Sequence, residues 1–184
     1  MKVGTKSLLF GAHLWWLHPI FLAVAWWQHY RHFEGGWRLF VCFLVHDWGY
    51  WGSPDMDGPI GKLHPLKGAR IAAWVCSRGY PLRSQSIQYH YWYEFCACHS
   101  RYYAERLNMQ PSPLMVADKW ATCLYPRWLY WILLWLSGEG REYITYHYAA
   151  TGVGAVSLWD YTKILQDHWA RFAPGVYDHA STGN

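Results

Sequence analysis

The sequence predicts an all-α fold, a bundle of about seven or eight helices. Apolar residues recur at helical spacing in eight successive blocks, and no stretch alternates with period two for long. Gly and Pro, which stop helices, mark most of the joints between blocks.

The first block runs from about Leu8 to Tyr30 and stops at Gly35-Gly36. The second, Trp37–Trp48, ends in the Gly- and Pro-rich loop Gly49–Gly61. A third covers about Pro65–Ser77, before the break Gly79-Tyr80-Pro81, and a fourth about Ser84–Leu107. The fifth begins near Pro113 and runs past Asp118 to about Leu124, ahead of Pro126. The sixth, Trp128–Leu136, closes at Gly138 and Gly140. The seventh covers about Glu142–Ala150 and the eighth Leu158–Phe172. The polar tail from Pro174 to Asn184 is expected to fray.

A chain of 184 residues with no repeat, linker or low-complexity tract fits one domain, residues 1–184. Charged residues make up only 15%, and the excess is aromatic, with 15 Trp and 15 Tyr. A formal charge of +4, without a basic run, suits a small anionic substrate and not a stable nucleic-acid partner. The aromatic clusters, such as Tyr89–Tyr93, read mostly as core and groove lining. Trp15, Trp16, Trp48 and Trp51 are the rings nearest the candidate site residues.

Five cysteines with no framework spacing argue against a secreted disulfide scaffold. The N-terminal apolar stretch has no small-residue cleavage site, so a cytoplasmic location is the default expectation. Ser7–Tyr30 has no Asp, Glu, Lys or Arg and is long enough to span a bilayer, but its His13, His18, Gln28 and His29 are costly in lipid. Peripheral membrane contact through surface Trp, and a homodimer, stay open as partner classes.

The strongest chemical signal is Val45-His46-Asp47, at the end of an apolar helix. An imidazole and a carboxylate side by side can both ligate one cation, and further ligands must come from other helices. His18 lies on the first helix, His64 opens the third, His99 sits in the fourth and Asp118 in the fifth. Each is bracketed by apolar residues, as in helical bundles that build metal sites from inward-facing ligands. His13 rivals His18, and His90 rivals His99. Either His13 or His18 could instead be a core residue bonded to a carbonyl. Asp118 could instead cap a neighbouring helix. Cys96-Ala97-Cys98-His99 lacks zinc spacing and a second Cys pair, and reads as buried thiols.

In this order the residues resemble the HD superfamily of metal-dependent phosphohydrolases, over roughly residues 13–124. That family is named for a His-Asp pair, here His46-Asp47. His18-Pro19-Ile20-Phe21-Leu22-Ala23 looks like its early His, and Ala117-Asp118-Lys119 like its final Asp. His64-Pro65-Leu66-Lys67-Gly68-Ala69 is similar to the extra His of dinuclear members, with His99-Ser100-Arg101 as the second. The sequence departs from two subgroups. Tyr50 stands where many nucleotidase members carry Glu, and Gly79-Tyr80-Pro81 precedes the His99 region, out of order for an HD-GYP phosphodiesterase.

The resemblance implies a single HD-type domain with its metal core at about 13–124 and C-terminal helices over 128–172. It implies one or two divalent ions (Mn, Fe, Zn, Mg, Co or Ni) on His18, His46, Asp47, His64, His99 and Asp118. It implies a phosphomonoesterase or phosphodiesterase acting on a phosphate ester such as a nucleotide. Such ions lower the pKa of a bound water to about 7 in favourable cases. Asp47 would bridge two ions, and Asp55 or Asp57 in the Gly49–Gly61 loop, a candidate lid, would serve as general acid or base. Arg101, Lys119, Lys62 and Lys67 are the phosphate-binding candidates, with Arg70 beside them. Two other classes compete. One is a diiron oxygenase on the same six ligands, similar to myo-inositol oxygenase. The other is a non-enzymatic membrane-associated or partner-binding helical protein.

Overall fold

The computed structural model describes residues 1–152 and 156–176. Among these there are ten α-helices, three short 3-10 turns and no strand, so the fold is all-α. The helices are α1 (Val3–Phe10), α2 (His18–Tyr30), α3 (Trp37–Val45), α4 (His64–Cys76), α5 (Leu82–Ala97), α6 (Arg101–Arg106), α7 (Pro113–Leu124), α8 (Arg127–Ser137), α9 (Glu139–Thr151) and α10 (Leu158–Trp169). Most of the polar tail lies outside the described residues.

Ten helices replace seven or eight because two of the eight predicted blocks each split, and α1 begins five residues before the first block. The Leu8–Tyr30 block breaks at residues 11–17, where Gly11 is extended and the chain makes a double turn before α2. Pro19 then sits in the first turn of α2, where its missing N–H costs nothing. The fourth block breaks at Cys98–Ser100, so His99 lies in a turn between α5 and α6, not in a helix. Gly138 alone separates α8 from α9, with a left-handed φ of 79°, and Gly140 continues α9.

The main core is shared by α2, α3, α4, α5 and α7. Leu22, Leu39, Phe43, Ala72, Cys96, Leu114 and Ala121 meet in it. Each large side chain sealed there contributes about 1.5–3 kcal/mol by leaving water. A second cluster, with Leu14, Tyr125, Tyr130 and Leu134, packs α8 under the 11–17 turn. Close approach of α4 to the end of α3 depends on Gly68, where a Cβ would overlap the Val45 and His46 carbonyls. That contact places His64, at the head of α4, beside the His-Asp pair.

The aromatic excess is distributed differently from expectation. Ten of the 15 Trp are exposed, among them Trp15, Trp16 and Trp51. In the Tyr89–Tyr93 run Trp92 is buried but Tyr91 is exposed. No helix among the described residues is long and apolar enough to cross a membrane.

Candidate metal centre

Four buried side chains converge from three helices and one turn. His18 opens α2, His46 caps α3, Asp47 follows it, and Asp118 lies within α7. His18 Nε2 is 3.0 Å from Asp118 Oδ1 and 3.7 Å from Asp47 Oδ2. His46 Nε2 is 2.9 Å from Asp47 Oδ2 and 3.7 Å from Asp118 Oδ1. A second group shares Asp47 through its other oxygen. Asp47 Oδ1 is 3.5 Å from both His64 Nε2 and His99 Nε2, which are 3.2 Å apart. Neighbouring ligands about 2.1 Å from one ion are roughly 3.0–3.4 Å from each other, so both groups are near coordination spacing.

The backbone sets which nitrogen of each ring faces inward. His46 Nδ1 bonds the Phe43 carbonyl at 3.0 Å, His64 Nδ1 that of Gly61 at 2.7 Å, and His99 Nδ1 that of Cys96 at 2.6 Å. A carbonyl only accepts, so each Nδ1 carries a hydrogen and each ring turns its Nε2 to the cluster. His18 Nδ1 lies 3.5 Å from the Tyr125 hydroxyl, which donates to the Ala12 carbonyl.

The donor set fits divalent cations on two observations. His46 Nε2 and Asp47 Oδ2 are buried without a hydrogen-bond partner although they are only 2.9 Å apart. The His64 and His99 lone pairs oppose each other at 3.2 Å, which favours a cation between them. Nitrogen and carboxylate donors suit Mn, Fe, Co, Ni and Zn. The buried groups could therefore hold metal in an all-helical protein.

Electrostatics point the same way. Burial raises the Asp47 carboxyl pKa, but the His46 and His13 charges outweigh it and hold the pKa well below the usual range. Asp118 is also held low, against burial, by Lys119 and by bonds from His18 and His46. Burial alone would keep His46 neutral, yet Asp47 and Asp118 lift its pKa to about 10. Burial pushes His64 down to about 3, so its ring is a neutral donor.

A cavity of about 300 Å³ opens on the cluster. Its lining includes Asp47, His64, His99 and Asp118 with Asp57, Arg101 and Lys119. Lys119 Nζ bonds Asp118 Oδ2 at 2.9 Å. Arg101 and Lys119 both pack over the Trp169 ring, 5.6 and 5.2 Å from its centre. Asp57 is raised by desolvation, opposed by Lys119, His13 and Lys62. Asp55 is turned away, its carboxylate accepting from the Gly61 N–H. The Gly49–Gly61 loop, read as a candidate lid, is pinned by buried Met56 and by Glu142, which accepts from the Met56 and Asp57 N–H groups.

The other predicted residues fall at or beyond the rim. Lys62 lies over the ring of Tyr102, itself a lining residue. Lys67 is elsewhere, in an apolar groove of about 660 Å³ with Trp15, Trp48 and Trp51. Those three rings therefore line a different surface, and Trp169 is the tryptophan of the site. His90 is exposed on α5, away from the cluster.

The sequence reading left Tyr50, Trp169 and Glu139 out of the site; His13, weighed there as the rival of His18, lines the cavity with its ring centre 5.9 Å from that of His18. Tyr50 stacks on His64 at 4.0 Å. Its position three residues after Asp47 is the one signal that pointed toward it. No protein-family model matches the chain, and neither the curated proteins nor the solved structures give a match.

Proposed function

We propose that this protein is a metal-dependent phosphohydrolase of the HD type, acting on a small phosphate ester such as a nucleotide. The observation that carries the reading is Asp47, whose two oxygens enter two different donor groups. That is the arrangement a bridging carboxylate needs. His18, His46, Asp47 and Asp118 would hold one ion, and Asp47, His64 and His99 the other. Divalent ions held there supply an acidified water and neutralise phosphate charge.

The chain's own groups do the rest. Arg101 and Lys119 provide fixed cationic donors at one wall, suited to the oxygens of a phosphoryl group. Asp57 faces the same space and can take a proton from attacking water. The same donors suit two irons, as in an HD-type oxygenase. The two cations at the wall favour phosphate over an uncharged substrate.

The test is metal content in protein purified without chelator, for the parent and for His46→Ala and Asp118→Ala, followed by hydrolysis of p-nitrophenyl phosphate and a nucleotide panel. The expected result is near-stoichiometric metal and hydrolysis in the parent, both lost in the folded variants. Equal metal contents in all three would sink the proposal. Two irons with oxygen uptake and no hydrolysis would move the assignment to the oxygenase.

A further inference from the structure

Away from the metal centre, exposed aromatic rings gather on one face. Ile20, Val24 and Trp27 make an exposed stripe at helical spacing along α2. Trp37, Phe40 and Leu44 do the same along α3, and Trp48 continues that line. On α4 and just past its end, Lys67, Trp74 and Arg78 are exposed around half-buried Ile71. The stripes are joined at both ends. At one, Trp27 stacks on Phe33 with ring centres 5.7 Å apart, and Phe33 meets Phe40 at 5.0 Å. At the other, Trp15, Trp48, Trp51, Lys67 and Ile71 line the groove of about 660 Å³. That groove shares no lining residue with the metal cavity.

The face is broad and carries charge of one sign. Trp15, Trp27, Trp37, Trp51 and Trp74 are each 46–57% exposed. At about 150–250 Å² per aromatic side chain, these five leave on the order of 500 Å² of ring in water. An apolar area of that size is at the upper end for a monomer and is often functional. Arg38 lies over the Trp37 ring at 4.7 Å and Arg78 over Trp74 at 3.6 Å, so cations stand among the rings. Residues 1–93, which supply the whole face, carry nine Lys and Arg against four acids, whereas residues 94–184 carry seven against eight. Of those four acids, Asp47 is buried, Asp55 is turned to the Gly61 N–H and Asp57 lines the metal cavity. Glu34, beside His32, is the remaining one.

We propose that this face docks the protein on the surface of an anionic bilayer. Trp suits the boundary between headgroups and acyl chains, because its ring is apolar while its N–H still reaches a polar acceptor. Lys67 and Arg78 meet the lipid phosphates, to which Arg offers a fork of donors. A second copy of the chain fits the face less well. Twofold pairing sets one patch against the same patch, which brings cation toward cation with little acid to offset them. Docked through this face, the protein keeps its metal cavity clear of the groove that touches lipid. Docking is therefore independent of the reaction in the cavity.

The test is co-sedimentation of the full chain with vesicles of phosphatidylcholine, alone or with phosphatidylserine added, at about 0.1 M and about 1 M salt. The parent is expected to pellet with the anionic vesicles at the lower salt, and at least about tenfold less with phosphatidylcholine alone or at the higher salt. A cation at the surface is worth roughly fivefold in partition, so the double variant Lys67→Ala, Arg78→Ala should bind about 20–30-fold more weakly. Trp51→Ala with Trp74→Ala should lose about tenfold or more. Lys163→Ala, on α10, removes a charge outside the face and should change binding less than about twofold. Far-UV circular dichroism checks that the variants are folded. A parent that stays in the supernatant with anionic vesicles, or folded double variants that pellet as the parent does, would overturn the docking. So would a dimer in lipid-free buffer that the Trp51→Ala, Trp74→Ala variant dissociates in sedimentation velocity, since a second copy then covers the face.

Discussion

Glu139 and Asp47 are both carboxylates deep in the protein, and their surroundings differ in kind. Glu139 has donors on both oxygens from backbone and hydroxyl groups. Asp47 has an oxygen with no hydrogen-bonded partner, facing an imidazole nitrogen equally without one. A buried carboxylate satisfied by protein donors is complete as folded and serves to position its neighbours. One left without a hydrogen-bonded partner has a place that a cation could fill. The contrast separates a brace from a candidate binding site without reference to any related protein.

The largest effect that tests the contrast is on stability. Glu139→Ala strands several buried donors and is expected to cost about 3–5 kcal/mol, with or without metal. Asp47→Asn should remove the metal-dependent increment, about 2.7–4.1 kcal/mol for an ion at 100–1,000 times its Kd. Thermal unfolding with manganese and with chelator separates the two. If chelator lowers the Tm of Asp47→Asn as much as that of the parent, Asp47 is not the shared ligand.

A second, graded effect comes from pH. In metal-free protein the His46 pKa lies above its ordinary 6.5, at about 10. The stability it contributes is therefore fully present below about 6.5 and is lost as pH rises through about 10. Asp47 and Asp118, held low, contribute stability that is lost as pH falls below the usual carboxylate range. Metal must displace the His46 proton, so apparent affinity should rise about tenfold per pH unit across neutrality, with proton release. Titration in buffers of different ionisation enthalpy measures that release. An affinity flat with pH would exclude His46 as a ligand.

The smallest effect distinguishes two lysines. Lys119→Ala should raise KM for a phosphate ester roughly tenfold or more, as loss of a charge-assisted contact does. Lys67→Ala, in the separate groove, should change it less than about twofold. Steady-state kinetics with p-nitrophenyl phosphate decides, and equal effects would mean that substrate reaches the groove.

Much of this was legible in the residues. Helical periodicity gave the all-α class, and Pro113 and Gly138 marked real boundaries. His46-Asp47 drew attention as a polar pair ending an apolar run, and His64-Pro65 as a helix-opening His that follows it in order. Pro19 was the missed punctuation. It follows His18 as Pro65 follows His64, and it signals a helix start inside what otherwise reads as one long helix. The break at Cys98–Ser100 had no such mark. It is held by one bond from farther along the chain, the Ser112 N–H to the Cys98 carbonyl, and by a local one, His99 Nδ1 to the Cys96 carbonyl. Glu139 was passed over because it reads as loop between two glycines. Its partners Ser7 and Ala12 lie 132 and 127 residues away, and no local pattern reports them.

The same long reach bears on biosynthesis. His18 and Asp118 are 100 residues apart in the chain. A nascent polypeptide on the ribosome therefore displays His18, His46 and Asp47 well before the residue that completes their set has been translated. Metal cannot be fully enclosed by the emerging N-terminal helices. On the proposed reading, tight capture would be a late event in maturation, and bound metal would count the chains made at least through α7.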